Sequence, residues 1–431
     1  MSHDTTRRTF LQGIGATVAT AGIAGTASAY EPRSATRFAQ FNIEDLTTSQ
    51  VQEEETSFYE DSSGDEQAAA AAELIQEIRP DVLVINELTN NIQQGKKTDK
   101  TNIRAFIDNY LRVPQRDDLD PIPFPYTFQP PVNTGVLPEE DYDFNKDGSA
   151  GERPGDAYGF GFYPGQYGMA IASQYPILES DIRTFQEFLW ADMPNNLMPL
   201  DDGSMDLDED GIYLTPEETD AFRLSSKTHA DIPVRVDGEP VHVLTSHPTP
   251  PQYDGPNNFN GRWNHDEVRF WADYVANAEY IYDDDGNEGG LDDDRYVLMG
   301  DQNAAVMGER ILKPAHAFFR ENKDFYTDEL PSSPGGENLG KPHATRIRGP
   351  RPGQAGDGDT VVGQLDRVLP SPALSYEDGG VVWPKPSDSR IETVRAASDH
   401  RMVWADLESP SQSSGVSELL AALRSDSSSA D

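Results

Sequence analysis

An α/β fold is what this sequence predicts, on three observations. The run Asp81-Val82-Leu83-Val84-Ile85-Asn86-Glu87 is apolar without alternation, as in a strand covered on both faces. Ahead of it, the alanine-rich stretch Gln67 to Ile78 carries Leu74, Ile75 and Ile78 at helical spacing and is stopped by Pro80. A second apolar strand, Tyr296 to Met299, ends in Gly300 and presents Asp301 and Asn303 two residues apart, so that both address one side of the extended chain.

The remaining elements follow in order. Arg37 to Ile43 reads as a first strand, with Asn42 near its end, and an acidic linker runs from Glu53 to Asp65. Ile103 to Leu111 is expected to be helical. From Pro114 to Gln166 the composition turns to Pro, Gly, Tyr and Asp, an excursion with little regular structure. Gly168 to Ser173 returns to strand, and a second insertion spans Phe188 to Ala221. Phe222 to Val236 and Val241 to Ser246 alternate across the turn Asp237-Gly238, and the second of them delivers His247. Arg262 to Tyr280 is a helix with Val268, Trp271, Ala272 and Val275 on one face, and Ala304 to Arg320 reads as another. Gln364 to Leu369 and Arg401 to Ala405 are the last strands, with Ser398-Asp399-His400 between them. From Glu408 a Ser-rich tail has no core to join, apart from a helical turn around Leu419 to Leu423.

Composition bounds the surroundings. The 431 residues include 75 Asp and Glu against 34 Lys and Arg, a formal net charge of −41. Such a surface suits high salt, where screening removes self-repulsion, and it repels nucleic acid and anionic lipid at low salt. No cysteine is present, which excludes disulfides and thiolate metal sites. Thr6-Arg7-Arg8-Thr9-Phe10-Leu11, a small-residue apolar run and Ala27-Ser28-Ala29 resemble a twin-arginine export signal. The expected organisation is therefore a signal over 1–29, one domain over 30–407 with insertions near 114–166 and 188–221, and a disordered tail over 408–431. The mature chain is expected outside the cytoplasm, as a monomer, without a membrane span.

Polar groups gather at strand ends: Asn42, Glu87, His247, Asp301, Asn303, Asp366, Asp399 and His400. Seven ordered motifs carry them: Phe41-Asn42-Ile43, Asp81 to Glu87, Tyr167 to Ile177, Ser246-His247, Gly300 to Ala304, Leu365 to Leu369 and Ser398-Asp399-His400. In this order they resemble the endonuclease/exonuclease/phosphatase superfamily, here in a secreted, haloarchaeal-type form. The resemblance implies a four-layered α/β/β/α sandwich of two mixed sheets flanked by helices. It implies a divalent cation, Mg²⁺ with Mn²⁺ as the substitute, held by Asn42 and Glu87 and completed by Asp399. Asp301 would then orient or deprotonate water, Asn303 hold the phosphate or Asp301, and His400 paired with Asp366 contact the scissile phosphate. His247 would donate a hydrogen bond to the phosphate or act as acid to the leaving group, and Tyr167 would touch the phosphate. Gln302 stands where the family usually has Phe, at a position expected to face outward.

Two further patterns concern binding. Asp206, Asp208, Asp210, Gly211 and Glu217 match a twelve-residue calcium loop, so a structural Ca²⁺ is an expectation. Arg346, Arg348 and Arg351 are candidate phosphate binders. The function expected is a secreted metal-dependent nuclease or phosphodiesterase acting by in-line attack of water on phosphorus. Alternatives are a phosphomonoesterase or a phospholipid-headgroup phosphodiesterase of the same fold, and a non-catalytic calcium-stabilised surface protein.

Overall fold

Alternation along the strands explains the layers. In the computed structural model, residues 34–52, 65–95, 100–203, 211–251, 256–304, 315–320, 322–348 and 360–408 are described. The export signal, the tail helix and most of the acidic linker lie outside them. Contacts divide the chain into Met1–Ser34 and a unit from Ala35 onward, and everything below belongs to the second.

One sheet holds β1 (Thr36–Leu46), β2 (Val82–Leu88), β3 (Tyr126–Phe128), β4 (Met169–Ser173), β12 (Ser375–Val381) and β13 (Val403–Glu408), in the order β12-β13-β1-β2-β4-β3. The other holds β5 (Arg183–Thr184), β6 (His229–Val236), β7 (Glu239–Ser246), β8 (Tyr296–Asp301) and β11 (Asp366–Pro370), in the order β11-β8-β7-β6-β5. Each is mixed, with one parallel pair, β1–β2 and β7–β8, among antiparallel neighbours. A separate ribbon pairs β9 (Arg346–Arg348) with β10 (Thr360–Gly363).

Val82 and Val84 of β2 meet Val243, Val297, Met299 and Val368 between the sheets, whereas Leu83 and Ile85 pack outward under Leu74, Ile75, Phe106 and Val394 of the covering helices. On the far side Leu244 and Leu298 pack against Phe270 and Trp271 of the Phe259–Val275 helix. The result is helix, sheet, sheet, helix: a four-layered sandwich. Trp271 and Phe270 are fully buried, and truncating either costs about 3–5 kcal/mol. Among the described residues no helix is long and apolar enough to cross a membrane.

Local chemistry sets most boundaries. The Glu66–Ile78 helix starts where the Asp65 carboxylate accepts from the Ala68 N–H and stops at Arg79 in a left-handed conformation, just before Pro80. Asp237 and Gly238 both take positive φ, 51° and 92°, which matches the twist of the β6–β7 hairpin.

Other boundaries differ from expectation. The segment expected to be extended from Phe222 becomes strand only at His229, because Phe222 and Leu224 turn into the outer core while Ser225 and Ser226 bond to His229 and Glu267. The Ile103–Leu111 helix is α-helical over Asn102–Phe106 and then widens to a π-turn, where the Gln76 side-chain amide draws on the Leu111 and Val113 carbonyls. The Phe259–Val275 helix ends short of Tyr280, and Asn277 just beyond it is left-handed. Of the expected Ala304–Arg320 helix, Ala315–Arg320 is helical, Ala304 is not, and 305–314 lie outside the described residues.

Candidate active site

Pairing direction brings the polar strand ends together. Parallel β1–β2 and β7–β8 place the C-terminal ends bearing Asn42, Glu87, His247 and Asp301 side by side. Antiparallel β11 puts its first residue, Asp366, directly opposite Asp301, and antiparallel β13 begins just after His400.

Asp301 sits at the centre. Its Oδ2 accepts from Asn42 Nδ2 at 3.0 Å and its Oδ1 from the Asn303 N–H at 2.8 Å. Its own N–H donates to Asn86 Oδ1 at 2.9 Å, and the same oxygen accepts from Gln40 Nε2 at 2.8 Å, so Asn86 ties the tip of β8 to the opposite sheet. The close approach needs a glycine behind it: Gly300 has φ 144°, and a Cβ there would lie 2.2 Å from the Ser246 carbonyl oxygen.

Asn42 Nδ2 also donates to Glu87 Oε1 at 2.9 Å, while Asp45 N–H donates to Glu87 Oε2 at 3.0 Å. The Asn42 oxygen accepts from Glu44 N–H at 3.0 Å, so the amide turns its NH₂, not its oxygen, toward the carboxylates. His247 Nε2 lies 3.5 Å from Asp301 Oδ2 and 3.8 Å from Glu87 Oε1, and its Nδ1 has no hydrogen-bond partner among the described residues. On the other side His400 Nδ1 is 2.8 Å from Asp366 Oδ2, and His400 Nε2 is 3.6 Å from Asp301 Oδ2.

Neighbouring charges separate the two buried histidines. Burial pushes His247 well below its ordinary value, aided by Lys227 and the charge on His400, and leaves it neutral. Burial also opposes a charge on His400, but Asp366, Asp301 and Asp399 together outweigh it and lift the ring to about 9. Glu87 and Asp301 are both raised by burial despite the attraction of His400.

These donors fit a hard cation. Glu87, His247 and Asp301 offer ligand atoms within 4.8 Å of one another, as do Asp301, Asp366 and His400, and two desolvated carboxyls gain from a positive charge between them. Asp399 is not in either group: its Oδ2 pairs with Arg346 Nη2 at 2.9 Å, its N–H donates to Glu44, and its Oδ1 lies 3.7 Å from His400 Nε2. Asn303 directs its side-chain amide to the Pro248 carbonyl at 3.1 Å, so Asp301 is held by the backbone of Asn303. Tyr167, Arg346, Asn303, Glu87 and His247 line one cavity of about 630 Å³.

Three features escape local reading. Asn86, Lys227 and Glu267 are buried polar residues at or beneath the site. A polar residue inside an apolar strand was the available signal for Asn86. Lys227 lines the cavity and is lowered by burial, while Glu267 beneath it accepts from the Ser226 and Thr249 N–H groups and is pushed up to about 7. Gln302, expected to face outward, is buried and donates from Nε2 to Ser246 Oγ at 3.2 Å, since it follows Asp301 into the layer under the Phe259–Val275 helix. The calcium-loop residues Asp206, Asp208 and Asp210, and Arg351, lie outside the described residues, and Glu217 is exposed on a short helix.

Acid–base groups supplied from both sheets meet at one end of a four-layered sandwich, the arrangement of an acid–base hydrolase site. The sequence matches the Endonuclease/Exonuclease/phosphatase family over residues 39–400, and the chain belongs to that family. Among solved structures it is similar to a family protein from Leptotrichia buccalis at 12% identity and TM-score 0.43, over 87% of this chain and 100% of that one. It is similar to D. rerio TDP2 complexed with a single-strand DNA product at 11% identity and TM-score 0.40, over 87% and 100%. Sphingomyelinase C from Streptomyces griseocarneus aligns at 13% identity and TM-score 0.40, over 86% and 99%. Comparison with curated proteins finds no match.

Proposed function

We propose that the chain is a divalent-cation-dependent phosphodiesterase, a nuclease in the first instance, exported by the twin-arginine route into a high-salt medium. The observation that carries the reading is the His400–Asp366 pair, 2.8 Å apart and buried, beside the buried Asp301 carboxyl, with neighbouring Glu87, His247 and Asn303 lining a cavity. It joins a fixed positive donor to an adjacent base, the two things that water attack on a phosphodiester needs.

His400, kept charged by Asp366, donates from Nε2 to a non-bridging phosphate oxygen. Asp301, with its Oδ1 fixed by the Asn303 N–H, orients the attacking water and takes its proton. Neutral His247 serves as a hydrogen-bond donor to the phosphate rather than as a full acid. A bound cation would neutralise developing charge on the phosphate oxygens. Glu87 would hold it, with Asn42 once its amide turns its oxygen inward. Phosphomonoester and phospholipid-headgroup substrates would use the same groups and differ in what fills the cavity.

The test is hydrolysis of plasmid DNA, RNA and bis(p-nitrophenyl) phosphate in molar salt with Mg²⁺ or Mn²⁺, with and without EDTA, beside an Asp301→Ala/His400→Ala variant. Cleavage abolished by EDTA and by the double substitution is expected. Activity that survives both sinks the reading. For export, Arg7→Lys/Arg8→Lys should hold the chain inside the cell, and undiminished secretion would refute that part.

A further inference from the structure

The cavity at the catalytic residues has a second set of walls that the chemistry does not use. Besides Glu87, His247 and Asn303 it is lined by Phe144 from the first insertion, Ile212 from the end of the second, Phe222 just after it, and Phe259 and Trp263 from the helix that follows β7. These rings brace one another: Phe144 stands edge-on to Phe222 at 4.8 Å, and Phe222 to Trp263 at 4.9 Å. A pre-formed aromatic chamber therefore opens on the same space as Glu87, His247 and Asn303, within the size range of small-molecule sites.

The chamber is not purely apolar. Asn145, Asn260 and Thr249 line it as well, and Lys227 and Arg346 supply its cationic groups. A hydrocarbon guest would take water from these amides and the hydroxyl and return no hydrogen bond. A flat heteroaromatic ring satisfies both kinds of wall, with a face for the accessible Phe160 and Tyr167 rings that also line the cavity and edges for the amides. A base inside a duplex cannot reach a pocket without leaving its stack.

Resting on the phosphodiesterase reading, we propose that this compartment receives one unpaired nucleobase of the substrate, so that the enzyme selects nucleotide esters and single strands over duplex and over lipid esters. The base packs on the aromatic walls while its phosphate lies against His400 and Asp301.

Binding is measured by calorimetry in molar salt with Mg²⁺, using adenosine monophosphate, ribose 5-phosphate and n-octyl phosphate, with Mg²⁺ alone as control. Adenosine monophosphate should bind about 10-fold or more tightly than ribose 5-phosphate, as expected for one stacked base. Ile212→Trp, which fills the chamber, should bring that ratio to about twofold or less, and Ala157→Leu, which lines the same cavity, is the second variant should the first not fold. In parallel, kcat/KM for a thymidine p-nitrophenyl phosphodiester should exceed that for methyl p-nitrophenyl phosphate by a similar factor. Equal binding of adenosine monophosphate and ribose 5-phosphate, tighter binding of octyl phosphate, or preference for duplex DNA overturns the proposal. If the binding ratio holds while neither ester is cleaved, the base site stands and the phosphodiesterase reading falls.

Discussion

Replacing Asp366 by Asn separates charge from geometry in the His400 pair. The amide oxygen can still accept from His400 Nδ1 across the 2.8 Å contact, so the ring keeps its place, but the largest of the charges that lift it to about 9 is gone. Burial then wins, and the ring becomes neutral at neutral pH. A charged donor to the phosphate becomes a neutral one, and the expected loss in kcat is roughly 10²-fold, rising toward 10⁴ if proton movement is also impaired. In the folded chain a value raised from the ordinary 6.5 contributes stability that is complete below pH 6.5 and lost as pH rises through about 9. The shift corresponds to about 3 kcal/mol, so Asp366→Asn should be destabilised by up to that amount at pH 6 and much less at pH 10. The assay is kcat/KM for bis(p-nitrophenyl) phosphate against pH, beside urea unfolding at both pH values. A variant within threefold of the parent rate, or a stability difference that does not shrink with pH, would refute the reasoning.

Three more outcomes follow from the geometry. Glu87→Gln removes the carboxylate that would hold the cation, so the variant should lose most of the roughly 2.7 kcal/mol that Mg²⁺ at 100 times Kd adds; thermal melts with and without Mg²⁺ decide this. Gly300→Ala places a Cβ 2.2 Å from the Ser246 oxygen and should cost about 2 kcal/mol or more while dropping kcat, whereas Gly203→Ala, with open space around it, should leave kcat unchanged. Burial lowers His229 to about 4, between Ser225 Oγ and the Glu267 carbonyl. Its contribution to stability is present above the ordinary 6.5 and lost as pH falls toward 4, about 3 kcal/mol in all. Urea unfolding of the parent against His229→Gln over that window should converge, and parallel curves would contradict it.

Single features of the sequence carried much of this. The unbroken run in β2 identified a doubly covered strand because both alternate faces, Val84 and Leu83, are buried. Asp65 and Pro80 bounded the first long helix through their own backbone chemistry. The segment from Phe222 to Thr228 was misread because alternation does not reveal that two aromatic and aliphatic side chains leave the strand for a different core.

By itself the sequence determined the α/β order, the strand tips and the residue types placed on them, since periodicity, capping and turn preferences act over a few neighbouring residues. Tertiary structure alone decided which tips meet and in what ionisation state. Asp366 faces Asp301 through strand register, Asn86 anchors β8 across the sandwich, and Asp399 is drawn to Arg346. His247 is neutral and His400 charged because desolvation and neighbouring carboxylates, both set by long-range packing, act on identical side chains in opposite directions.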